Sequence, residues 1–239
     1  MRPEKKNNKM PQCWWVDLPE TDYQQALHLQ LAIVTAKTVG HLQADVILCI
    51  EHPRVFTLGR RGGRENLCVT DDFLAQQGVV VMPTDRGGNI TYHGPGQLVV
   101  YPIIHLNRRR LKVVDFVSGL EQAMIRTAGH WNIRAGTDPA NRGVWLKGDK
   151  LGSVGLTVRR GVSFHGLALN VNTDMEPFGW INPCGLDQVR MTSFERHLNG
   201  PVPMDEARRV MARQLSEIFG IALTRRSAEQ LYKDIELVD

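Results

Sequence analysis

Apolar and polar residues change period several times along the chain. Trp14-Trp15-Val16 reads as a short strand, and Tyr23, Leu27, Leu31 and Val34 then recur at helical spacing. The apolar run over residues 45–50, closed by His52-Pro53, predicts a buried strand, and Val55 to Leu58 another before the turn Gly59-Arg60-Arg61-Gly62-Gly63-Arg64. Val79 to Met82 and Leu98 to Ile104 read as strands. Pro102 in the second has no N–H to donate, so an edge, a bulge or the strand's end is expected there. Helical spacing returns over Val113 to Trp131. Three strands follow with few turn residues between them: Gly143 to Leu146, Leu151 to Val158 and Val162 to Asn172. Arg159-Arg160-Gly161 is the tight connection of the last two. A third long helix is expected over Met204 to Phe219, with Val210, Met211, Leu215, Ile218 and Phe219 on one face.

Strands in the middle with helices between and around them, without regular βαβ alternation, predict an α+β fold with a mixed sheet flanked by helices. The expected organisation is a flexible basic tail over residues 1–10 and one domain over 11–239, without internal repeats. At 239 residues the chain can bury a substantial core without staples.

Four cysteines, with no CxxC pair and no zinc-type spacing, argue against a disulfide framework and for a reducing, cytoplasmic location. No apolar run approaches the length of a membrane span, so no membrane association is expected. The net charge of +4 favours acidic partners. The arginines stand in short separate clusters, at 60–61, 108–110, 159–160 and 225–226, without interleaved aromatics. That pattern points away from nucleic acid and towards an acidic protein partner.

Three segments carry candidate chemistry. Arg86-Gly87-Gly88-Asn89-Ile90-Thr91-Tyr92-His93-Gly94-Pro95-Gly96-Gln97 holds four glycines in a dozen residues, which lets backbone approach a ligand closely. Neither a P-loop nor a dinucleotide-binding glycine pattern occurs. Lys150-Leu151-Gly152-Ser153-Val154-Gly155 opens a glycine-broken strand with a lysine, which taken alone reads as a snorkelling surface residue. Ser163-Phe164-His165-Gly166-Leu167-Ala168-Leu169-Asn170 could line a pocket, with His165 taken alone a core histidine. Beyond it Ile181-Asn182-Pro183-Cys184-Gly185-Leu186 sets a thiol between proline and glycine, on a shaped turn. Cys184 could be a filler, a metal ligand or a nucleophile. As a nucleophile it needs a cation or base near it, and His93, His165 and Lys150 are the candidates.

Taken together and in this order, RGGNITYHGPGQ, KLGSVG, SFHGLALN and INPCG resemble the lipoyl(octanoyl) transferases, relatives of the biotin and lipoate protein ligases, over roughly residues 14–221. The resemblance implies the ligase catalytic-domain fold. It makes Cys184 the carrier of an acyl thioester and Lys150 the group that activates the thiol. It assigns acyl-chain binding to Arg86, Gly87, Gly88, Asn89, Ile90, Thr91, Tyr92 and His93, to Ser153, Val154 and Gly155, and to Gly166, Leu167 and Ala168. The implied donor is octanoyl-acyl carrier protein. The implied acceptors are apo lipoyl domains of 2-oxoacid dehydrogenase complexes and the glycine cleavage H protein, with no ATP, metal or other cofactor. The rival readings are an ATP-dependent lipoate or biotin ligase, an amidotransferase between lipoyl-type proteins, and a non-catalytic module that binds acyl carriers. Arg60, Arg61, Arg108 to Arg110 and Arg159 are candidates for steering the carriers.

Overall fold

The computed structural model describes residues 12–182 and 189–235, so the basic tail and Cys184 lie outside the described residues. The strands are β1 (Cys13–Asp17), β2 (Asp45–Ile50), β3 (Val55–Leu58), β4 (Val80–Pro83), β5 (Thr91–His93), β6 (Gln97–Ile103), β7 (Gly136–Thr137), β8 (Val144–Leu146), β9 (Asp149–Arg159), β10 (Val162–Asn170) and β11 (Leu223–Arg225). The helices are α1 (Tyr23–Val39), α2 (Asp71–Gln76), α3 (Leu106–Arg109), α4 (Val113–His130), α5 (Phe194–Leu198), α6 (Met204–Phe219) and α7 (Ala228–Ile235). Eight strands form a sheet in the order β11-β1-β2-β6-β10-β9-β8-β7, and β4-β3-β5 form a second, smaller sheet. Pairing is parallel between β1 and its two neighbours and antiparallel through β2-β6-β10-β9. The mixed sheet flanked by helices is the α+β arrangement expected.

Strand alternation divides the core. Ile47, Cys49, Leu98 and Val100 face α4 and α6, whereas Val46, Leu48, Ile50, Val99 and Tyr101 face α1 and α7. A third apolar cluster holds the small sheet together through Phe56, Ile90, Tyr92, Phe178 and Trp180. Helices α4 and α6 approach closely at Gly119, where an added Cβ would meet the Phe219 ring at 2.5 Å. Asp22 caps α1 by accepting from the backbone N–H of Gln24 and Gln25, and Gly40 ends that helix at φ 90°.

Three differences from the sequence reading are informative. Helix α1 buries Ala26, Leu29, Gln30, Ile33, Val34, Ala36 and Lys37, while Leu27 and Leu31 are only half-buried. Tyr23 and Val34 are buried as expected, and at the far end Lys37 leaves water for Asp45, at 2.8 Å, and for the Ala44 carbonyl, at 2.6 Å. Arg109 turns inward to the same carboxylate, at 2.7 Å, so it is not a surface arginine. Pro102 sits in the middle of the large sheet and keeps its register with Ile47 on β2. Its missing N–H shows on the other side, where registered pairing with β10 stops at Val100 and Ser163 Oγ donates to the Pro102 carbonyl at 2.6 Å. The connection from β9 to β10 is a tight turn with positive φ at Arg160 and Gly161, as a two-residue hairpin of this twist requires.

Candidate active site

A cavity of about 410 Å³ lies between β9, β10 and β6 on one side and the glycine-rich segment 86–93 on the other. Its size is that of a small-molecule site. It brings together residues from all three sequence segments: Arg86 to Thr91 and His93, Lys150 with Ser153 to Gly155, and Gly166 to Ala168. Tyr92 is the exception. On a strand its side chain points away from its neighbours', and it packs against Phe56 and Phe178 beneath the small sheet.

The glycine-rich roof is built from backbone. Arg60 N–H donates to the Arg86 carbonyl and Arg61 N–H to that of Gly88, which zips the 59–63 turn onto the roof. Gly59 is required at that junction, since a Cβ there would meet the Gly88 oxygen at 2.4 Å. Arg86 is buried, and its guanidinium donates to Thr57 Oγ1 and, at 2.6 Å, to the Thr57 carbonyl, clamping the roof to β3. Gly87 N–H donates to the Leu156 carbonyl at 3.2 Å and joins roof to floor.

Lys150 is buried, with Nζ 5.3 Å from the centre of the Trp145 ring. Its stem lies on Gly143, where a Cβ would meet Lys150 Cε at 2.8 Å and the Gly152 carbonyl oxygen at 2.5 Å. Gly143 has φ 119°, and its N–H donates to the buried Glu121 carboxylate at 2.8 Å. A second Glu121 oxygen accepts from Arg142 at 3.1 Å. On its other edge Lys150 donates through its N–H to the Arg190 carbonyl and accepts from Thr192 N–H. The snorkelling reading of Lys150 is therefore replaced by a lysine held from three sides.

The three histidines around the cavity are tied elsewhere. His52 Nδ1 faces the Thr21 carbonyl at 2.7 Å and so carries the proton, leaving Nε2 to accept from the Tyr101 hydroxyl at 2.7 Å. Burial pushes its pKa down to about 4. His93 stacks on Tyr23 and donates to Gln97 Oε1 at 2.6 Å. Burial, then the neighbouring His52, holds His93 well below the usual histidine range. Gln97 passes the chain of hydrogen bonds to Asn170, and Asn170 to the Thr192 carbonyl, which adjoins Lys150. His165 has φ 56°, donates from Nε2 to Asp85 at 2.8 Å, and is shifted down by burial against the pull of that carboxylate. Among the described residues the cavity thus offers imidazoles held towards the neutral form, the Lys150 amine and the guanidinium groups of Arg61, Arg86 and Arg142. Arg61, which the sequence offers only as a steering charge, also lines it, as do Tyr23, Val99, Tyr101, Asn141 and Arg142, which carry no sequence signature. Among the described residues no group of three His, Cys, Asp or Glu side chains is placed to hold a metal ion.

Residues 22–216 match the lipoyl protein ligase A/B catalytic domain. The chain belongs to that family. It is 45% identical over 207 residues to an octanoyltransferase of Desulfotalea psychrophila, covering 86% of this chain and 93% of the relative. It is 37% identical over 205 residues to an octanoyltransferase of Alkaliphilus metalliredigens, covering 85% and 94%. In fold it is similar to the bipartite lipoate protein ligase of Thermoplasma acidophilum, with TM-score 0.73 at 15% identity over 95% of this chain and 92% of that one. It is also similar to the Aquifex aeolicus biotin protein ligase, with TM-score 0.53 at 10% identity over 87% and 70%. These two likenesses are of fold, and a shared fold does not fix the chemistry of a site.

Proposed function

We propose that the protein is an octanoyltransferase that moves an octanoyl, or lipoyl, group from acyl carrier protein to a lysine of lipoyl domains through a thioester on Cys184. The observation that carries this reading is Lys150, buried and held at the edge of a cavity lined by Ile90, Val99, Val154, Leu167 and Ala168. The relatives' names supply the acyl group, and the cavity suits one. Cys184 lies outside the described residues, with five residues between it and Arg190, a chain reach of at most about 22 Å. Arg190 is bonded directly to the Lys150 backbone.

The Cys184 thiol gives its proton to the Lys150 amine and attacks the thioester carbonyl. The C–S bond to the carrier's pantetheine breaks, and Lys150 returns the proton to the departing thiol. The acceptor lysine amine then attacks the Cys184 thioester, an amide forms, and the thiol is regenerated. Exchange of one thioester for another is close to thermoneutral, and the amide is the more stable product, so the reaction draws on no ATP. Arg60, Arg61, Arg108 and Arg159 remain exposed on the surface and suit acidic carriers, among them the H protein and 2-oxoacid dehydrogenase lipoyl domains. The cysteine usage supports a cytoplasmic location.

The test is intact mass after incubation with octanoyl-acyl carrier protein without ATP. We expect an octanoyl adduct that hydroxylamine releases and that Cys184→Ala abolishes. Product formed only when ATP is added would transfer the protein to the ligase reading.

A further inference from the structure

The cavity has a direction. Its floor follows β9 and β10, whose register pairs Ala168 with Ser153, Gly166 with Gly155 and His165 with Leu156. At one end the Lys150 stem rests beside Gly143 and the Gly152 carbonyl. At the other end roof and floor meet, where Gly87 N–H bonds to Leu156 and where a Cβ on Gly155 would strike the Gly87 oxygen at 2.8 Å. From Gly152 to Leu156 a strand advances about 13 Å. An extended eight-carbon chain spans about 9 Å, at roughly 1.3 Å per carbon from bonds of about 1.5 Å. With the radius of its terminal methyl, about 2 Å, it takes up about 11 Å of that length. A twelve-carbon chain needs about 14 Å before that radius is counted.

Opposite Leu156, where roof and floor meet, stands His165, 1% exposed, lining the cavity beside Tyr101. The ring is fixed in place: Nε2 donates to Asp85 at 2.8 Å, the backbone N–H donates to Gln30 at 2.7 Å, and Phe164 packs beside it at 4.9 Å between ring centres. Its Nδ1 has no hydrogen-bond partner among the described residues. A catalytic relay would engage both nitrogens, whereas here one anchors the ring and the other makes no bond. His165 also holds φ 56°, a conformation a core-filling residue does not need.

We propose that His165 is the end wall of the acyl cavity and sets the chain length the enzyme accepts. This rests on the acyl-transfer reading above. The test is kcat/KM for six-, eight-, ten- and twelve-carbon acyl thioesters on acyl carrier protein, with the wild type and two variants. His165→Gly keeps the positive φ without strain and removes the ring. It is expected to raise the twelve-to-eight-carbon ratio at least tenfold. His165→Asn tolerates the same backbone, is smaller than imidazole, and is expected to favour ten carbons by a few-fold. Either variant retaining the wild-type ratio, or losing activity equally at every length, overturns the end wall and leaves the transferase intact. A wild type that transfers no chain of any length removes both readings.

Discussion

Gly143→Ala tests whether the placement of Lys150 limits the rate. At φ 119° an alanine costs about 1–3 kcal/mol in backbone strain. Its Cβ would also stand 2.5 Å from the Gly152 carbonyl oxygen, a backbone atom of the neighbouring strand that cannot swing aside. Crowding of that kind adds about 1–3 kcal/mol. The expected loss of stability is therefore about 2–6 kcal/mol, and a loss near the middle of that range lowers Tm by about 10 °C for a chain of this size. The second contact, with Lys150 Cε at 2.8 Å, lies about 0.6 Å inside the 3.4 Å limit of ordinary contact. The lysine side chain is the softer partner and gives way. Misplacement of a catalytic group by up to about 1 Å can cost about 100-fold. We expect formation of the octanoyl adduct to slow by roughly 30- to 100-fold, or about 2–3 kcal/mol. Measurement well below the variant's own Tm separates this loss from unfolding. Adduct formation within threefold of wild type, in a variant whose Tm has fallen as expected, would refute the claim that Gly143 sets the position of Lys150.

Glu121→Ala leaves the Gly143 N–H buried without its acceptor, a cost of about 1–3 kcal/mol, and should slow adduct formation. Glu121→Gln keeps an acceptor and should restore most of the rate; equal rates in the two variants would sink this role. His52 has a folded pKa of about 4 against an unfolded value near 6.5. Between these values the unfolded chain holds more protons, so stability falls as pH falls through that window. About 2 kcal/mol should be lost by pH 5. Urea denaturation of His52→Gln at pH 7 and pH 5 should show a shallower decline than wild type, and an equal decline counts against the shift. Lys37→Met strips Asp45 of one of its cations inside the core. Because Arg109 and the His105 N–H still reach that carboxylate, the cost should fall at the lower end of the buried-pair range, about 3 kcal/mol. A urea-derived loss below about 1 kcal/mol would show that Asp45 is satisfied without Lys37.

Period and punctuation made most of the sheet legible, because strands such as residues 45–50 and helices such as α4 and α6 follow their own hydrophobic repeat. The short elements β5, β7 and β11 carry no repeat long enough to read. Helix α1 was legible from Tyr23 and Val34, but not the burial of Lys37, a residue that periodicity counts as polar. The site was legible as segments but not as an assembly. Nothing in the spacing of Lys150 and Glu121 announces that Gly143 joins them. Arg109 sits in an arginine run that reads as solvated, yet Asp45, 64 residues away, draws it inward.

Pro102 and His165 carry this lesson furthest. Each was an oddity when read alone: a proline inside a strand, and a histidine that could be mere core. The register that pairs Leu167 with Val100 also pairs Val162 with His105, and between them it sets His165 opposite Pro102. Proline offers β10 no N–H at that level. The ladder opens there, and Ser163 takes up the stranded Pro102 carbonyl through its hydroxyl. Freed from regular pairing on the β6 side while it keeps its register with Leu156 on β9, His165 adopts the left-handed conformation. Gly166 follows it because a Cβ would strike the Val100 oxygen at 2.2 Å and Pro102 Cδ at 2.6 Å. A missing hydrogen-bond donor on one strand thus becomes, on its neighbour, the break at which the end wall of the cavity is set.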